Sequence, residues 1–172
     1  MKILITYYTR TGNTKKVAES IHKALTDHNI DIVSIDKLDI STINSYELIF
    51  LGSGVYASRV DKSLYRILKN TEYLNSKFAL FCTHASLELY QKPFVKVEKL
   101  IESKGGKIIN EFDCIGDNIG IPKEKQLEML NALPPEQRKK AEEDMKKIKD
   151  RPNAEDLNKA IEFAKETLNK MY

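Results

Sequence analysis

Short apolar runs alternate with amphipathic segments along most of this chain, and this alternation limits the folds that the chain can adopt. Residues 13–28 and 92–104 carry apolar side chains at helical spacing. The run ELIFLGSG at 47–54 is almost continuously apolar, as in a strand that is covered on both faces. Strands that alternate with helices predict an α/β fold with a parallel sheet and helices on both faces. The predicted strands lie at residues 2–8, 30–36, 47–54, 77–83 and 105–116.

Polar residues that precede helix-spaced apolar segments mark where two further helices begin. Asp61 is a suitable N-cap for a helix that carries Leu64 and Leu68. Asn153 precedes the closing helix, and Asp156 occupies the third helical position, as in a variant of the capping box. The apolar residues of the closing helix are spaced by four and three, which predicts that this helix packs on the sheet.

Residues 122–152 differ in composition from the rest of the chain. They contain no aromatic residue and no glycine, and they are dense in lysine and glutamate. A helix with Pro134 or Pro135 in its first turn is predicted within them. We interpret the segment as a peripheral helical insertion in a single domain of residues 1–172. It either covers a substrate or a membrane-bound acceptor, or is a solvated addition.

The composition excludes several classes of protein. The 172 residues are 41% hydrophobic and 31% charged, as in an ordinary soluble domain. The net charge of +3 comes from lysines spread along the chain and not from a basic stripe with aromatics, so no nucleic-acid partner is expected. No membrane span and no signal-peptide pattern is found, which predicts a cytoplasmic protein. Cys82 and Cys114 are isolated and are expected to be free, buried thiols, with no metal site.

Three loops follow the carboxyl ends of predicted strands, where sheets of this kind bind their ligands. They comprise residues 9–14, 53–60 and 83–91. The first, TRTGNT, offers a glycine and short hydrogen-bonding side chains at a helix N-terminus, which favours a phosphate. The loop has no Walker pattern and no G-x-G-x-x-G, so a monophosphate bound without magnesium fits best. Alternatively, Thr11 or Asn13 merely caps the helix.

TRTGNT resembles the phosphate loop of flavodoxins, T/S-x-T-G-x-T, and like that loop it directly follows the first strand. The resemblance covers the strand order to about residue 116 and the closing helix. It implies a flavodoxin-like three-layer sandwich with a five-stranded parallel sheet of order 2-1-3-4-5, and it implies FMN as the cofactor. The residues that would surround the phosphate are Thr9, Arg10, Thr11, Gly12, Asn13 and Thr14.

The resemblance also implies which residues would contact the flavin ring. In GSGVYASR, Tyr56 would stack on the ring, and the alternative is an ordinary half-buried tyrosine. Tyr90 is a second candidate for the stack. His84 is either a proton donor or a simple polar loop residue. The remaining residues expected at the ring are Ser53, Gly54, Val55, Ala57, Thr83, Ala85 and Ser86.

By resemblance, the leading interpretation is an FMN-binding electron-transfer protein, a monomer or weak dimer. It would exchange electrons with redox partner proteins or with a small-molecule donor or acceptor, and its net basic charge favours an acidic partner. A second interpretation is an FMN-dependent oxidoreductase, because SGVYASRVDKSLYRILKN resembles a loop and helix of flavodoxin-like protoporphyrinogen oxidases; quinone or small-substrate reduction is a broader version. A flavin-free signalling module fits poorly, since YYTRT stands where a receiver domain has clustered acids.

Overall fold

The computed structural model describes residues 1–89 and 91–172, and within these residues the sheet has six strands. Five strands run parallel in the order β2-β1-β3-β5-β6, while the short β4 pairs antiparallel with β3. With β4 set aside, this is the predicted order 2-1-3-4-5, which is therefore confirmed. The strands are β1 (Lys2–Tyr8), β2 (Asn29–Ser34), β3 (Leu48–Tyr56), β4 (Arg59–Val60), β5 (Lys77–His84) and β6 (Lys107–Ile115).

Helices cover both faces of the sheet. The first helix ends at Ala24 and not at His28 as predicted, because residues 25–28 form a turn in which the His28 N–H donates to the Leu25 C=O. Asp61 caps its helix as predicted, through a 2.9 Å hydrogen bond from the Ser63 N–H. The helices are α1 (Asn13–Ala24), α2 (Lys62–Lys69), α3 (Val95–Ser103), α4 (Lys123–Asn131), α5 (Pro135–Ile148) and α6 (Ala154–Asn169).

The alternating side chains of the strands divide the core into two layers. Ile3 and Ile5 of β1 point to the layer formed with α1 and α6, while Leu4 points to the layer formed with α2 and α3. Phe50 packs edge-on against Phe163 of α6 at a centroid distance of 5.8 Å. The three-layer arrangement therefore follows from strands that are apolar on both faces.

The segment 122–152 forms two helices that bury little. No side chain of α4 is buried, and α5 buries only Ile148. Pro135 is the first residue of α5, as the sequence predicts. Arg138 joins the pair, because its guanidinium donates to the C=O groups of Leu130 and Asn131 at 3.1 and 2.9 Å. None of the helices in residues 1–89 and 91–172 is long and apolar enough to cross a membrane.

The β3–β4 hairpin, which the sequence did not predict, turns through Ala57 and Ser58. Val55 pairs with Val60, and Tyr56 pairs with Arg59. Ala57 and Ser58 have φ angles of 48° and 63°, so both lie in the left-handed region, as in a type I′ turn. A side chain with a Cβ is disfavoured there, which makes this turn a strained part of the second ligand loop.

Replacing Ala57 with Gly should raise the free energy of unfolding by about 1 kcal/mol, because glycine adopts the left-handed conformation without the Cβ penalty. Urea unfolding followed by circular dichroism measures the change. Ala132→Gly is the matched control: Ala132 has a φ of −75°, so glycine gains nothing there and should slightly destabilise the protein. A less stable Ala57→Gly variant would contradict the strain assigned to the turn.

Candidate functional site

The three loops expected to bind a ligand meet at the carboxyl edge of the sheet, around a small crevice of about 70 Å³. Phosphate-loop residues form one wall, the end of β3 forms a second, and the end of β5 forms a third. The segment after β6 closes the fourth side. The residues that line the crevice are Thr11, Asn13, Gly54, Val55, Tyr56, Thr83, His84, Ala85, Gly116, Asp117 and Asn118.

Residues 9–14, which we call the phosphate loop after their resemblance, place no side-chain cap on the N-terminus of α1. Gly12 is the N-cap residue, with a left-handed φ of 88°, and it provides no side chain to accept from the first-turn N–H groups. The first turn carries no acidic residue. The Thr9 hydroxyl accepts from the Gly12 N–H at 2.9 Å and so holds the loop closed. The helix therefore presents unsatisfied donors and the positive end of its dipole to the loop, the two properties that bind an anion.

Asn13 and Thr14 tie this loop to its neighbours instead of capping the helix. The Thr14 and Thr83 hydroxyls are hydrogen-bonded at 2.9 Å and are buried, so the first and third loops are joined at the floor of the crevice. The Asn13 side-chain amide donates to the Asp117 C=O at 2.8 Å. The Asn13 Oδ1 atom is buried and has no hydrogen-bond partner among the described residues. It is therefore a buried acceptor that the described residues leave unsatisfied.

Tyr56 lies back over Gly54 and contacts the phosphate loop. A Cβ atom on Gly54 would lie 2.5 Å from the Tyr56 hydroxyl, so glycine is needed at this close approach. The Tyr56 hydroxyl accepts from the Arg10 N–H at 3.0 Å, and the Arg10 guanidinium lies 4.0 Å from the centre of the ring. Tyr8 contacts the ring edge-on at a centroid distance of 6.1 Å. Burial raises the pKa of Tyr56, so its hydroxyl stays neutral.

Arg10 also links the phosphate loop to the start of α2. Its guanidinium lies 3.4 Å from the Asp61 carboxylate. Burial alone would raise the pKa of Asp61, but hydrogen bonds from Ser63 and Arg10 outweigh it and hold that pKa below its ordinary value. Asp61 therefore remains charged and competes for the guanidinium that the sequence analysis placed beside a phosphate.

The other residues predicted in the second loop are divided between structural and exposed positions. Ser53 is buried, and its hydroxyl donates to the Gly54 C=O and accepts from the Asp61 N–H. Val55 is half-buried at the crevice, while Ala57 is exposed at the tip of the turn. From this loop, Gly54, Val55 and Tyr56 thus line the crevice.

In the third loop, His84 is buried between two oxygen acceptors. Its Nε2 atom lies 3.0 Å from the Asp113 carboxylate, and its Nδ1 atom lies 2.9 Å from the Ser86 C=O. The Ser86 hydroxyl lies 3.2 Å from the same Nδ1 atom, so both ring nitrogens have polar partners. Ala85 is exposed and lines the crevice, and the Ser86 hydroxyl donates to the Glu88 C=O. Tyr90 lies outside the described residues.

Sequence reasoning missed the fourth wall, at Gly116, Asp117 and Asn118. The Asp117 N–H donates to the Arg151 C=O at 2.7 Å, and the Asp117 carboxylate accepts from the Asp150 N–H at 2.9 Å. A Cβ atom on Gly116 would lie 2.7 Å from the Asn13 amide nitrogen. These residues directly follow the last parallel strand, so the strand-end rule that identified the other three loops would have found them as well.

Cys82 and Cys114 are free and buried, and we predict that neither is reactive in the folded protein. Burial raises the pKa of the Cys82 thiol, and it raises that of Cys114 to about 12, so neither forms the nucleophilic thiolate near neutral pH. Iodoacetamide should therefore label both thiols only after unfolding, as counted by intact mass. Fast labelling of either thiol in the native protein would contradict this.

Within residues 1–89 and 91–172, no cluster of potential metal ligands is found.

Comparison with known proteins agrees with this geometry. The sequence profile described as the flavodoxin domain matches residues 4–165. An uncharacterised protein of Methanocaldococcus jannaschii, MJ0298, is 34% identical over 171 residues, which are 98% of this chain and 99% of that protein. The flavodoxin-like domain-containing protein BilS of Clostridioides difficile is 30% identical over 175 residues, which are 99% of this chain and 98% of that protein.

Solved structures share the fold at lower sequence identity. Oxidised Flavodoxin 2 from Bacillus cereus superposes with a TM-score of 0.68 at 20% identity, over 99% of both chains. A Fusobacterium nucleatum flavodoxin bound to flavin mononucleotide superposes with a TM-score of 0.54 at 17% identity, over 63% of this chain and 68% of that one. With a family profile matched over most of its length and two relatives matched from end to end, the chain belongs to the flavodoxin domain family.

Proposed function

We propose that this protein binds FMN and transfers electrons. The observation that carries the proposal is the uncapped N-terminus of α1, where Gly12 opens the helix toward the crevice and the first turn carries no acidic residue. Membership of the flavodoxin domain family supports FMN as the cofactor, and so does the FMN that the Fusobacterium nucleatum protein binds. Redox partner proteins would donate or accept the electrons.

The residues present fit FMN in three respects. The first-turn N–H groups and the Thr11 hydroxyl can donate to a phosphate, and the first turn carries no carboxylate to repel it. The unpaired Asn13 Oδ1 can accept from a hydroxyl such as those of the ribityl chain. Gly54 lets the backbone approach a flat ring closely, and Tyr56 supplies an aromatic face.

Each part of the crevice would have its own role. Residues 9–14 would bind the phosphate, and the Thr14–Thr83 hydrogen bond would keep two of the loops at a fixed spacing. The ends of β3 and β5 would orient the ring, and Tyr56 would exclude water from one of its faces. When bound, the flavin supplies the redox chemistry, and the protein tunes it through these contacts.

The crevice must widen to admit FMN. Its volume of about 70 Å³ is well below the roughly 300–1,000 Å³ of small-molecule sites. Tyr56 is the wall that can move, because its ring is half-buried and its hairpin ends in the exposed residues Ala57 and Ser58. Rotation of Tyr56 away from Gly54 would clear the space and expose a ring face for stacking.

The decisive experiment compares FMN with riboflavin, which lacks the phosphate, by titrating apoprotein and following flavin fluorescence. Thr11→Ala should weaken FMN binding by about 1–2 kcal/mol, or roughly tenfold, and leave riboflavin unchanged, because only the phosphate needs the hydroxyl. Thr26→Ala, an exposed threonine beyond the far end of α1, is the matched control and should change neither. Equal affinity of the wild-type protein for FMN and riboflavin would sink the phosphate assignment.

We propose an electron carrier in preference to an enzyme, because a carrier needs fewer protein groups beyond the flavin. The flavin itself would accept and release electrons, and a carrier requires no acid or base beyond it. A cytoplasmic location and a monomer or weak dimer remain predictions. Sedimentation of the purified protein measures the oligomeric state, and rapid-mixing spectroscopy with a chemical reductant measures whether the bound flavin cycles between redox states.

A further inference from the structure

A second and much larger depression lies between α2 and α3, beside the β3–β4 hairpin and outside the crevice. Its volume is about 850 Å³, which falls within the range of roughly 300–1,000 Å³ seen for small-molecule sites. The β3–β4 hairpin closes one end through Ser58, Arg59 and Val60. We call this depression the α2–α3 groove.

The walls of the α2–α3 groove are positively charged. Five cationic side chains line it, and Asp61 is the one carboxylate that does so among the described residues. Asp61 is already engaged by the Ser63 N–H and by Arg10. None of the five cations forms an ion pair with another described residue. The five are Arg59, Lys62, Lys92, Lys96 and Lys99.

Apolar side chains also line the α2–α3 groove. Val60, Pro93, Val97 and Leu100 lie along it. Tyr65 and Val95 are large apolar side chains that leave 40% of their surface in water, and both face the groove. Lysine stems add methylene groups to such a surface while their ammonium groups stay at the rim. The groove therefore combines apolar lining residues with a cationic rim.

We propose that the α2–α3 groove binds an organic anion with an extended apolar body, that is, an amphipathic carboxylate. The apolar body would cover Tyr65 and Val95, and its carboxylate would lie among the ammonium groups of Lys96 and Lys99. The excess of five cations over one engaged carboxylate selects an anion over a neutral apolar ligand. The volume and the two-helix walls suit a small molecule held along its length.

Such a ligand would contact the same hairpin that carries the proposed flavin-stacking residue. Arg59 pairs with Tyr56 across the β3–β4 hairpin, and the Val60 N–H donates to the Pro93 C=O in the groove wall at 3.4 Å. The groove and the crevice thus share one strand pair. The proposal stands on the groove alone, and binding there is measurable whether or not the protein holds FMN.

The test uses decanoate as the probe, with acetate and octyl glucoside as comparison ligands. Acetate has the charge without the apolar body, and octyl glucoside has an apolar body without the charge. Amide chemical shifts of the full-length protein are followed by heteronuclear NMR below the micelle-forming concentration. We expect decanoate to shift residues 58–65 and 91–103, and to bind more weakly as salt is added. Acetate and octyl glucoside should each leave these residues nearly unshifted.

Charge reversal separates the groove from general attraction to a basic protein. Lys96→Glu combined with Lys99→Glu should weaken decanoate binding about tenfold or more, because two rim cations become anions. Lys139→Glu combined with Lys140→Glu makes the same change on exposed α5 positions and should leave the affinity unchanged. The amide spectrum itself reports whether each variant is folded.

Several outcomes would overturn the proposal. They are an absence of shifts in the groove, an equal loss of affinity in the α5 control, and binding of octyl glucoside as tight as that of decanoate. Hexaglutamate is tested in parallel. If this peptide binds the groove as tightly as decanoate, the surface would be assigned to an acidic polypeptide and not to a small amphipathic carboxylate.

Discussion

Replacing Asp156 with Ala is expected to lower the free energy of unfolding by about 2–3 kcal/mol, because it removes the buried carboxylate that accepts from the Arg151 guanidinium and from the Asn153 N–H. Asp156 is 2% exposed, near the start of α6. The Arg151 guanidinium donates to both of its carboxylate oxygens. The Asn153 N–H donates to the same carboxylate, completing the capping box of α6. The Asp156 carboxylate thus pairs with the Arg151 guanidinium and also accepts from a backbone N–H at the start of α6.

The Asp156→Ala substitution should also affect the candidate site, because Arg151 is part of a chain of hydrogen bonds that ends at the phosphate loop. The Arg151 C=O accepts from the Asp117 N–H, and the Asp117 C=O accepts from the Asn13 side chain. Disorder at the start of α6 would therefore loosen the fourth wall of the crevice. We expect Asp156→Ala to weaken FMN binding as well as stability, and a flavin titration at a temperature where the variant is folded measures this.

The contribution of Asp156 should also depend on pH in a defined direction. Burial alone would raise the pKa of Asp156, but the hydrogen bonds from Arg151 and Asn153 outweigh it and hold the pKa below its ordinary value. A carboxyl with a lowered pKa in the folded state stabilises the protein above its unfolded pKa of about 3.9, and this stability is lost as pH falls through the folded value. The difference between wild type and Asp156→Asn should therefore shrink below about pH 4.

Glu155→Ala is the matched control on the same helical turn. Glu155 is exposed, and among the described residues its one ion pair is with Lys159, so its removal should leave the urea midpoint nearly unchanged. If Asp156→Ala were as stable as Glu155→Ala, the buried network would have no role in stability. If the difference between wild type and Asp156→Asn stayed constant down to strongly acidic pH, the ionised form of Asp156 would not be what stabilises the fold.

The periodic parts of this fold could be predicted from the sequence, because each element carries its own signal. β1 and β3 are apolar runs, Asp61 and Asn153 are caps in front of helix-spaced residues, and Gly12 opens the first helix. These signals depend on neighbours within a few positions. They sufficed for the strand order once the flavodoxin resemblance was recognised.

The contacts that shape the crevice could not be predicted in this way. Ala57 and Ser58 adopt a left-handed turn without the glycine or asparagine that usually indicates such a turn, so the sequence did not predict β4. The Arg10–Tyr56 contact joins residues far apart in the chain, and only the folded hairpin brings them together. The Asn13–Asp117 bond likewise depends on where the chain leaves β6. Tertiary contacts of this kind leave no local pattern.

Replacing Tyr56 with Ala is expected to weaken FMN binding by about 2–3 kcal/mol, or roughly 30- to 150-fold. Part of the lost binding free energy comes from the apolar area buried on one ring face, and the rest comes from the stacking of two flat rings. The change should appear in the dissociation rate. Association should become faster, because without Tyr56 the crevice has lost the side chain that lies over Gly54. Stopped-flow fluorescence of apoprotein mixed with FMN measures both rates.

Tyr56→Phe separates stacking from closure of the crevice. Phenylalanine keeps the ring face but loses the hydroxyl that accepts from the Arg10 N–H, so FMN should bind slightly more tightly, through faster association. Tyr73→Ala, a tyrosine that is 58% exposed and lies outside the crevice, should change neither rate. If Tyr56→Ala bound FMN as tightly as wild type, Tyr56 would not stack on the flavin, and its contact with Arg10 would serve only the ligand-free fold. Faster association with slightly tighter binding in Tyr56→Phe would identify the Arg10–Tyr56 hydrogen bond as one that the entering flavin must break.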